Sequence, residues 1–383
     1  MASVTLENVW KKYGKVEAVC GISLDIADKE FMAFLGPSGC GKSSTMRMIA
    51  GLEEITSGNI YFDRELVNKV RPRDRNVAMA FETYALYPTL NVYENLAFPL
   101  RAARRPDVDV DKRVREIADI LEITDLLDRK PANLSSGQQQ LVGLGRALSR
   151  EPRVFLLDEP ISHLDTRQRL RMRAYIKRLH MELGYTMIYV THNQEEAMAL
   201  ADRVAVMNEG LLCQVGTPEE IFHNPSDVFV AGFVGEPPMN FLECEYRRED
   251  GRHLLDHKGT TMEMPPLGEA LAQRGAIPPR VTLGIRPFYI DIGLKESARQ
   301  KIPAEVFVVE PLGDMTVATV DLLGTRLQIA TELGFRARPK QTVWLALDPT
   351  HTLLFDAETG LVLTDQAQNQ ESTAARASTS GAS

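Results

Sequence analysis

An α/β core with a helical insert, followed by a smaller β-rich domain, is what the sequence predicts, and three observations carry that expectation. Continuous apolar runs at Phe31–Leu35, Val154–Leu157 and Met187–Val190 have the make-up of strands buried on both faces of a parallel sheet. Helix-period segments stand beside them, at Ser43–Leu52, with Met46, Ile49 and Ala50 on one face, and at Gln168–Leu183. Beyond about Gly235 the texture changes to short β-like runs, Val281–Ile285, Glu305–Val309, Thr316–Leu322 and Val343–Leu347. Gly, Pro and Asp separate them, as in a small barrel or sandwich.

The smaller elements follow the same logic. Val4–Val9 and Ser23–Ile26 alternate apolar and polar residues and read as strands. Asp111–Leu127 carries apolar residues at Val114, Ile117, Ala118, Leu121 and Ile123 and reads as a helical insert. A chain of 383 residues is too long for one domain of typical size, so two domains and a tail are expected. Their predicted bounds are 1–235 for the α/β domain, with a helical subdomain at about 89–151, and 236–365 for the β-rich domain. The tail, Gln366–Ser383, is rich in Ser, Thr, Ala and Gln and is expected to be disordered.

Composition narrows the function classes. Hydrophobic residues make up 44% and charged residues 25%, the balance of a soluble globular protein. A net charge of −8 argues against a nucleic-acid partner, because phosphate backbones are met by basic surfaces. No apolar stretch approaches the roughly 18 residues that cross a bilayer, and Met1–Lys11 lacks a signal peptide's apolar segment, so a cytosolic chain is expected. Cys20, Cys40, Cys213 and Cys244 are scattered without metal-ligand spacing, which fits reduced thiols rather than a zinc site or a disulfide framework.

The strongest chemical signal is Gly36-Pro37-Ser38-Gly39-Cys40-Gly41-Lys42-Ser43, followed by Ser44, between a predicted strand and a predicted helix. Glycines let backbone N–H groups wrap phosphates, and the helix N-terminus adds a positive dipole end. Lys42 is placed to reach β- and γ-phosphates, and the Ser43 hydroxyl to ligate magnesium. The bland alternative is a glycine turn with a surface lysine; the flanking strand and helix weigh against it.

Val154–Leu157 runs into Asp158 and Glu159, two carboxylates where a buried strand emerges at the ligand-binding edge of a parallel sheet. Asp158 can hold the water shell of magnesium, and Glu159 can orient and polarise an attacking water. Taken alone, such a pair is as often a strand reaching solvent. With a phosphate loop in the same chain, the catalytic reading prevails.

The remaining motifs fall in the order of the ABC ATPase family, which the chain resembles. Leu134-Ser135-Ser136-Gly137-Gln138 is similar to that family's signature motif, Ser162–Asp165 to its D-loop, and His192 to its switch histidine. Tyr13 resembles the aromatic that stacks on adenine. Tyr84–Pro88, Phe233–Phe241 and Leu283–Pro287 are similar to the carbohydrate-importer ATPases of the maltose and glycerol-phosphate type. The likeness runs from Val4 to about Asp365. It implies a P-loop NTPase fold with a regulatory domain of oligonucleotide-binding-like, TOBE-type fold. It also implies ATP and Mg2+ as cofactors, Glu159 and His192 as catalytic groups, and Ser43, Asp158 and Glu82 at the metal. Tyr13, the phosphate loop, Glu82, Ser135, Ser136, Gly137, Gln138 and Asp165 are implied nucleotide contacts. The implied partners are two transmembrane permease subunits, a second ATPase subunit and an extracytoplasmic solute-binding protein. The implied place is the cytoplasmic face of the inner membrane, and the implied solute a sugar, polyol or glycerol-phosphate.

Several positions depart from the family pattern. Glu82 stands where a glutamine is usual, adding negative charge near the γ-phosphate site and losing an amide donor. Ser136 replaces a glycine, Leu141 an arginine, Asn193 an aspartate and His163 an asparagine. An intact phosphate loop, Asp158, Glu159 and His192 beside an altered Glu82 and Ser136 fit either a homodimer that tolerates both changes or one half of an asymmetric pair. The rival classes are a non-transport ABC ATPase acting on nucleic acid or ribosomes, and an ATP-binding scaffold without turnover.

Overall fold

A computed structural model describes residues 1–80, 86–162, 164–264 and 277–364. Glu82, Tyr84, His163 and the tail Gln366–Ser383 lie outside the described residues. The chain divides into two compact units, Met1–Pro218 and Glu219–Ser383.

In the first unit the chain runs β1 (Val4–Tyr13), β2 (Val16–Ile26), β3 (Phe31–Leu35), α1 (Lys42–Ala50), β4 (Ser57–Phe62), β5 (Glu65–Leu66), β6 (Val77–Ala80) and α2 (Val92–Ala102). There follow α3 (Asp107–Ile120), α4 (Ser136–Leu148), β7 (Val154–Asp158), α5 (Thr166–Leu183), β8 (Thr186–Thr191), α6 (Gln194–Leu200), β9 (Arg203–Asn208) and β10 (Leu211–Gly216). The central sheet has the order β10-β9-β3-β8-β7-β6, parallel throughout except for β10 at one edge. Every residue of β3, β7 and β8 is buried, which is why these strands read as continuous apolar runs rather than alternating ones. A second, antiparallel sheet has the order β2-β1-β4-β5. Met46 and Ile49 of α1 share one core with both sheets.

The helical insert differs from its expected bounds. The helix begins at Asp107 and ends at Ile120, and Glu122 takes φ 55, so the apolar spacing continues past the end of the helix. Leu121 and Ile123 still bury, but from a turn. The α1 helix likewise stops at Ala50, because Gly51 caps it at φ 75.

The second unit begins with two short helices, α7 (Pro218–His223) and α8 (Val228–Phe233). Ten strands follow among the described residues: β11 (Asn240–Glu249), β12 (Arg252–His257), β13 (Thr260–Glu263), β14 (Arg280–Ile285), β15 (Ile290–Gly293), β16 (Ile302–Pro311), β17 (Thr316–Leu322), β18 (Thr325–Thr331), β19 (Thr342–Leu347) and β20 (Thr352–Asp356). They form two antiparallel five-stranded sheets, β13-β12-β11-β14-β20 and β15-β19-β16-β17-β18, closed over one shared core. All four runs expected here lie within strands of these sheets, and the core is built from their inward residues, such as Leu283, Val306, Val320 and Leu345.

Candidate functional site

Strand register assembles the site. Leu35 at the end of β3 pairs with Thr191 at the end of β8, and Val190 pairs with Asp158 at the end of β7. The segments leaving these three neighbouring strands therefore emerge side by side at the carboxyl edge of the sheet, where open α/β folds bind ligands. The phosphate loop follows β3, Glu159 follows β7 and His192 follows β8.

Two glycines let the loop pass where it does. A Cβ at Gly36 would lie 2.2 Å from the Met207 carbonyl oxygen, and one at Gly41, where φ is 103, would lie 2.4 Å from that of Ala18. No other residue fits either place. Lys42 is buried, and its Nζ donates to the carbonyl oxygens of Gly36 at 2.7 Å and Pro37 at 2.8 Å, which sets the cation against the loop backbone. Cys40 is buried beside it, and burial pushes its thiol pKa up against the pull of Lys42. Ser43 Oγ donates to Asp158 Oδ1 at 3.0 Å.

Glu159 sits in the left-handed region at φ 45 and its N–H donates to the Val190 carbonyl at 3.0 Å. A non-glycine residue held there is strained, and such strain gathers at functional sites. Its Oε2 lies 3.1 Å from His192 Nδ1. The phosphate loop, Asp158, Glu159 and His192 are thus brought together.

The other predicted residues stand elsewhere. Tyr13 ends β1 on the antiparallel sheet, 44% exposed, with Lys11 Nζ 4.6 Å from its ring centroid. Ser135 caps α4: its Oγ accepts the Gln138 N–H at 3.3 Å, while Gln138 Oε1 accepts the Ser135 N–H at 3.0 Å. Ser136 Oγ donates to Gln168 Oε1 at 3.4 Å, and Gly137 lies beside the same side chain. Asp165 caps α5 by accepting the Gln168 N–H at 2.8 Å. Gln168, which the sequence reading passed over, therefore links the first turns of both helices.

Sequence reasoning also missed Glu196, although Asn193-x-x-Glu196 has the spacing of a helix cap. Asn193 Oδ1 does accept the Glu196 N–H, at 3.1 Å. The carboxylate turns inward instead of back to the cap, and it accepts from the Tyr189 and Thr191 hydroxyls.

The donors near the loop suit magnesium. Ser43 and Asp158 offer hard oxygens, and among the described residues no cluster of three His, Cys, Asp or Glu side chains could cage a metal. An ion held by few protein ligands and completed by water and phosphate oxygens is the usual form of a magnesium site.

A phosphate loop after the central strand, with a carboxylate and an imidazole converging from its neighbours, defines a P-loop ATPase. Residues 19–162 match the ABC transporter family, 235–287 the MalK OB fold domain and 283–355 the TOBE domain. The chain is 45% identical over 373 residues to the trehalose/maltose import ATP-binding protein MalK of Thermococcus litoralis, covering 94% of this chain and 99% of that one. It is 42% identical over 372 residues to the sn-glycerol-3-phosphate import ATP-binding protein UgpC 1 of Rhizobium johnstonii, covering 96% and 98%. Among solved structures it resembles a dimeric ATP-binding cassette in a post-hydrolysis state with ADP and Pi, at a TM-score of 0.51 and 30% identity, covering 56% of this chain and 98% of that one. The chain belongs to the ABC transporter family as an ATP-binding, ATP-hydrolysing subunit with MalK-type C-terminal domains.

Proposed function

We propose that this chain is the ATPase of an importer, coupling hydrolysis of magnesium-bound ATP to uptake of a small solute, a sugar, polyol or glycerol-phosphate. The observation that carries the catalytic part is the 3.1 Å contact of Glu159 with His192 beside the phosphate loop. The solute class is supported by the import functions named for the relatives, whose length the chain spans almost entirely.

Each residue then has a role. The loop backbone from Gly36 to Gly41 wraps the phosphates and Lys42 supplies the positive charge between them. Glu159 takes the proton of the attacking water, and His192 holds that carboxylate in place. Ser43 and Asp158 would hold magnesium, whose charge offsets that developing on the phosphate oxygens. Tyr13 stacks on adenine. Ser135, Ser136, Gly137, Gln138 and Asp165 serve the nucleotide of a second ATPase subunit, identical or distinct, so that two chains complete two sites. Residues 1–235 form the motor and 236–365 the regulatory domain. No helix among the described residues is long and apolar enough to cross a membrane. Two permease subunits would therefore supply the pathway, with an extracytoplasmic solute-binding protein delivering the solute, and the chain would sit at the membrane's cytoplasmic face.

Purifying the complex through a tag on this chain tests the assembly, and solute uptake by vesicles carrying wild type or Glu159→Gln tests the coupling. Recovery without any membrane subunit, or uptake undiminished in Glu159→Gln, would overturn the proposal.

A further inference from the structure

Glu196 is a buried charge that the mechanism above does not use. It is 3% exposed, and its Oε2 accepts the Tyr189 hydroxyl at 2.9 Å and the Thr191 hydroxyl at 2.8 Å. Thr191 Oγ1 in turn accepts the Asn193 N–H at 2.9 Å, and Asn193 Oδ1 accepts the Glu196 N–H at 3.1 Å. The three bonds among Glu196, Thr191 and Asn193 close a ring around one residue, His192. Thr191 is buried and tied on one side of it, Asn193 is tied on the other, and the imidazole itself projects outward, about half exposed, to meet Glu159.

A first-turn carboxylate gains from the helix dipole, but Glu195 already supplies one, and that gain does not require the Glu196 side chain to turn inward. The cap of α6 needs only the Asn193 side chain and a backbone N–H, and the helix buries Ala197 and Leu200 beside Glu196. An apolar side chain would fill that position without the cost of taking a charge out of water. The Tyr189 hydroxyl is held protonated, its pKa raised well above the ordinary value by burial and by Glu196, so it remains a donor.

We infer that Glu196 is a positioning residue for His192, fixing the backbone on both sides of the imidazole through Thr191 and Asn193 and so setting its contact with Glu159. The inference rests on the reading of Glu159 and His192 as the catalytic pair.

ATP hydrolysis by the full-length chain tests it. Thr191→Val removes the hydroxyl at nearly constant volume, Thr191→Ser keeps it, and Glu196→Gln removes the charge. Groups that orient a metal-ligating histidine matter by one or two orders of magnitude, and on that scale Thr191→Val and Glu196→Gln should lower kcat about tenfold or more with KM for ATP within about twofold. Thr191→Ser should stay near wild type. In a His192→Ala background Thr191→Val should cost nothing further, because its effect passes through the imidazole. A multiplicative loss in the double variant, or equal losses for Thr191→Ser and Thr191→Val, would overturn the inference while leaving the catalytic pair intact. Wild-type kcat in His192→Ala would remove the pair itself and the inference with it. Should Glu196→Gln fail to fold, the two Thr191 variants still decide.

Discussion

Glu159 Oε2 and His192 Nδ1 meet at 3.1 Å across the ends of two neighbouring parallel strands, β7 and β8. In the proposed mechanism this contact orients the carboxylate that activates water. Glu159→Gln keeps the shape but cannot accept a proton, so ATP should still bind while kcat falls by roughly two to four orders of magnitude. Single-turnover hydrolysis with nucleotide binding measured in parallel checks this. Turnover at a substantial fraction of wild type would move the base elsewhere, with His192 next in line.

Lys42 Nζ donates to the carbonyls of Gly36 and Pro37, and the proposed function makes it the cation that meets phosphate. Lys42→Ala should reduce ATP affinity to near the limit of detection, since a charge-assisted contact to two phosphates is lost. Titration with a fluorescent ATP analogue is sufficient. Affinity close to wild type would refute the assignment of the loop.

How much of this was legible in the sequence follows from where each residue's partners lie. β3, β7 and β8 were readable because burial on both faces leaves a local mark, four or five apolar residues in a row. The phosphate loop was readable because its whole pattern falls within eight consecutive residues, although the carbonyls that crowd Gly36 and Gly41, those of Met207 and Ala18, lie far from it in sequence. The end of α3 was not, because Leu121 and Ile123 keep the apolar spacing after Glu122 has turned the chain. Glu196 and Gln168 look like ordinary exposed helix residues until the fold brings Tyr189 and Ser136 to them. The packing role of Arg286, within the Leu283–Pro287 stretch, was equally silent, its partners lying 64 and 52 residues away in sequence.

That arginine supports a stability prediction. Arg286 is 1% exposed, donates to the carbonyl oxygens of Phe222 and Val234, and lies 3.8 Å from the Phe222 ring centroid. Burial lowers its pKa to about 10, so it remains charged at neutral pH. Arg286→Ala would leave both carbonyls unpaired and a void against the ring, destabilising the C-terminal unit by about 3 kcal/mol. For a unit of this size that is a fall in Tm of roughly 6 to 12 °C. Calorimetry of the full chain would show it, and an unchanged transition would mean the guanidinium's bonds are replaced by water.

Glu82 lies outside the described residues, and the family resemblance implies a place for it near the metal and the γ-phosphate. A carboxylate near the γ-phosphate repels it unless magnesium intervenes. Glu82→Gln should then tighten ATP binding or speed hydrolysis at the site built on this chain's phosphate loop. Site-resolved nucleotide trapping reads the result: one population changes in a homodimer, and one of two sites in a heterodimer. No change in magnesium dependence, turnover or transport coupling would take Glu82 out of the site.

Ser136 is a second departure, and its neighbours lie among the described residues. It is exposed at the first turn of α4, and its hydroxyl meets Gln168 Oε1 at 3.4 Å, a distance at which a hydrogen bond contributes little. The larger consequence is the added Cβ, which stands on backbone that must approach the partner's nucleotide closely if the signature-motif reading holds. Ser136→Gly should therefore strengthen ATP-driven dimerisation and raise turnover, with fold stability changed by no more than about 1 kcal/mol from glycine's greater freedom in the helix. Ser136→Ala separates the causes, because it keeps the Cβ and loses only the hydroxyl. Sedimentation with ATP under non-hydrolysing conditions would order the three proteins: glycine tightest, with alanine and serine alike. If alanine matched glycine instead, the restraint would lie in the bond to Gln168, which ties α4 to the Asp165 cap of α5. If all three dimerised equally, the extra Cβ would meet nothing, and residue 136 would lie clear of the nucleotide.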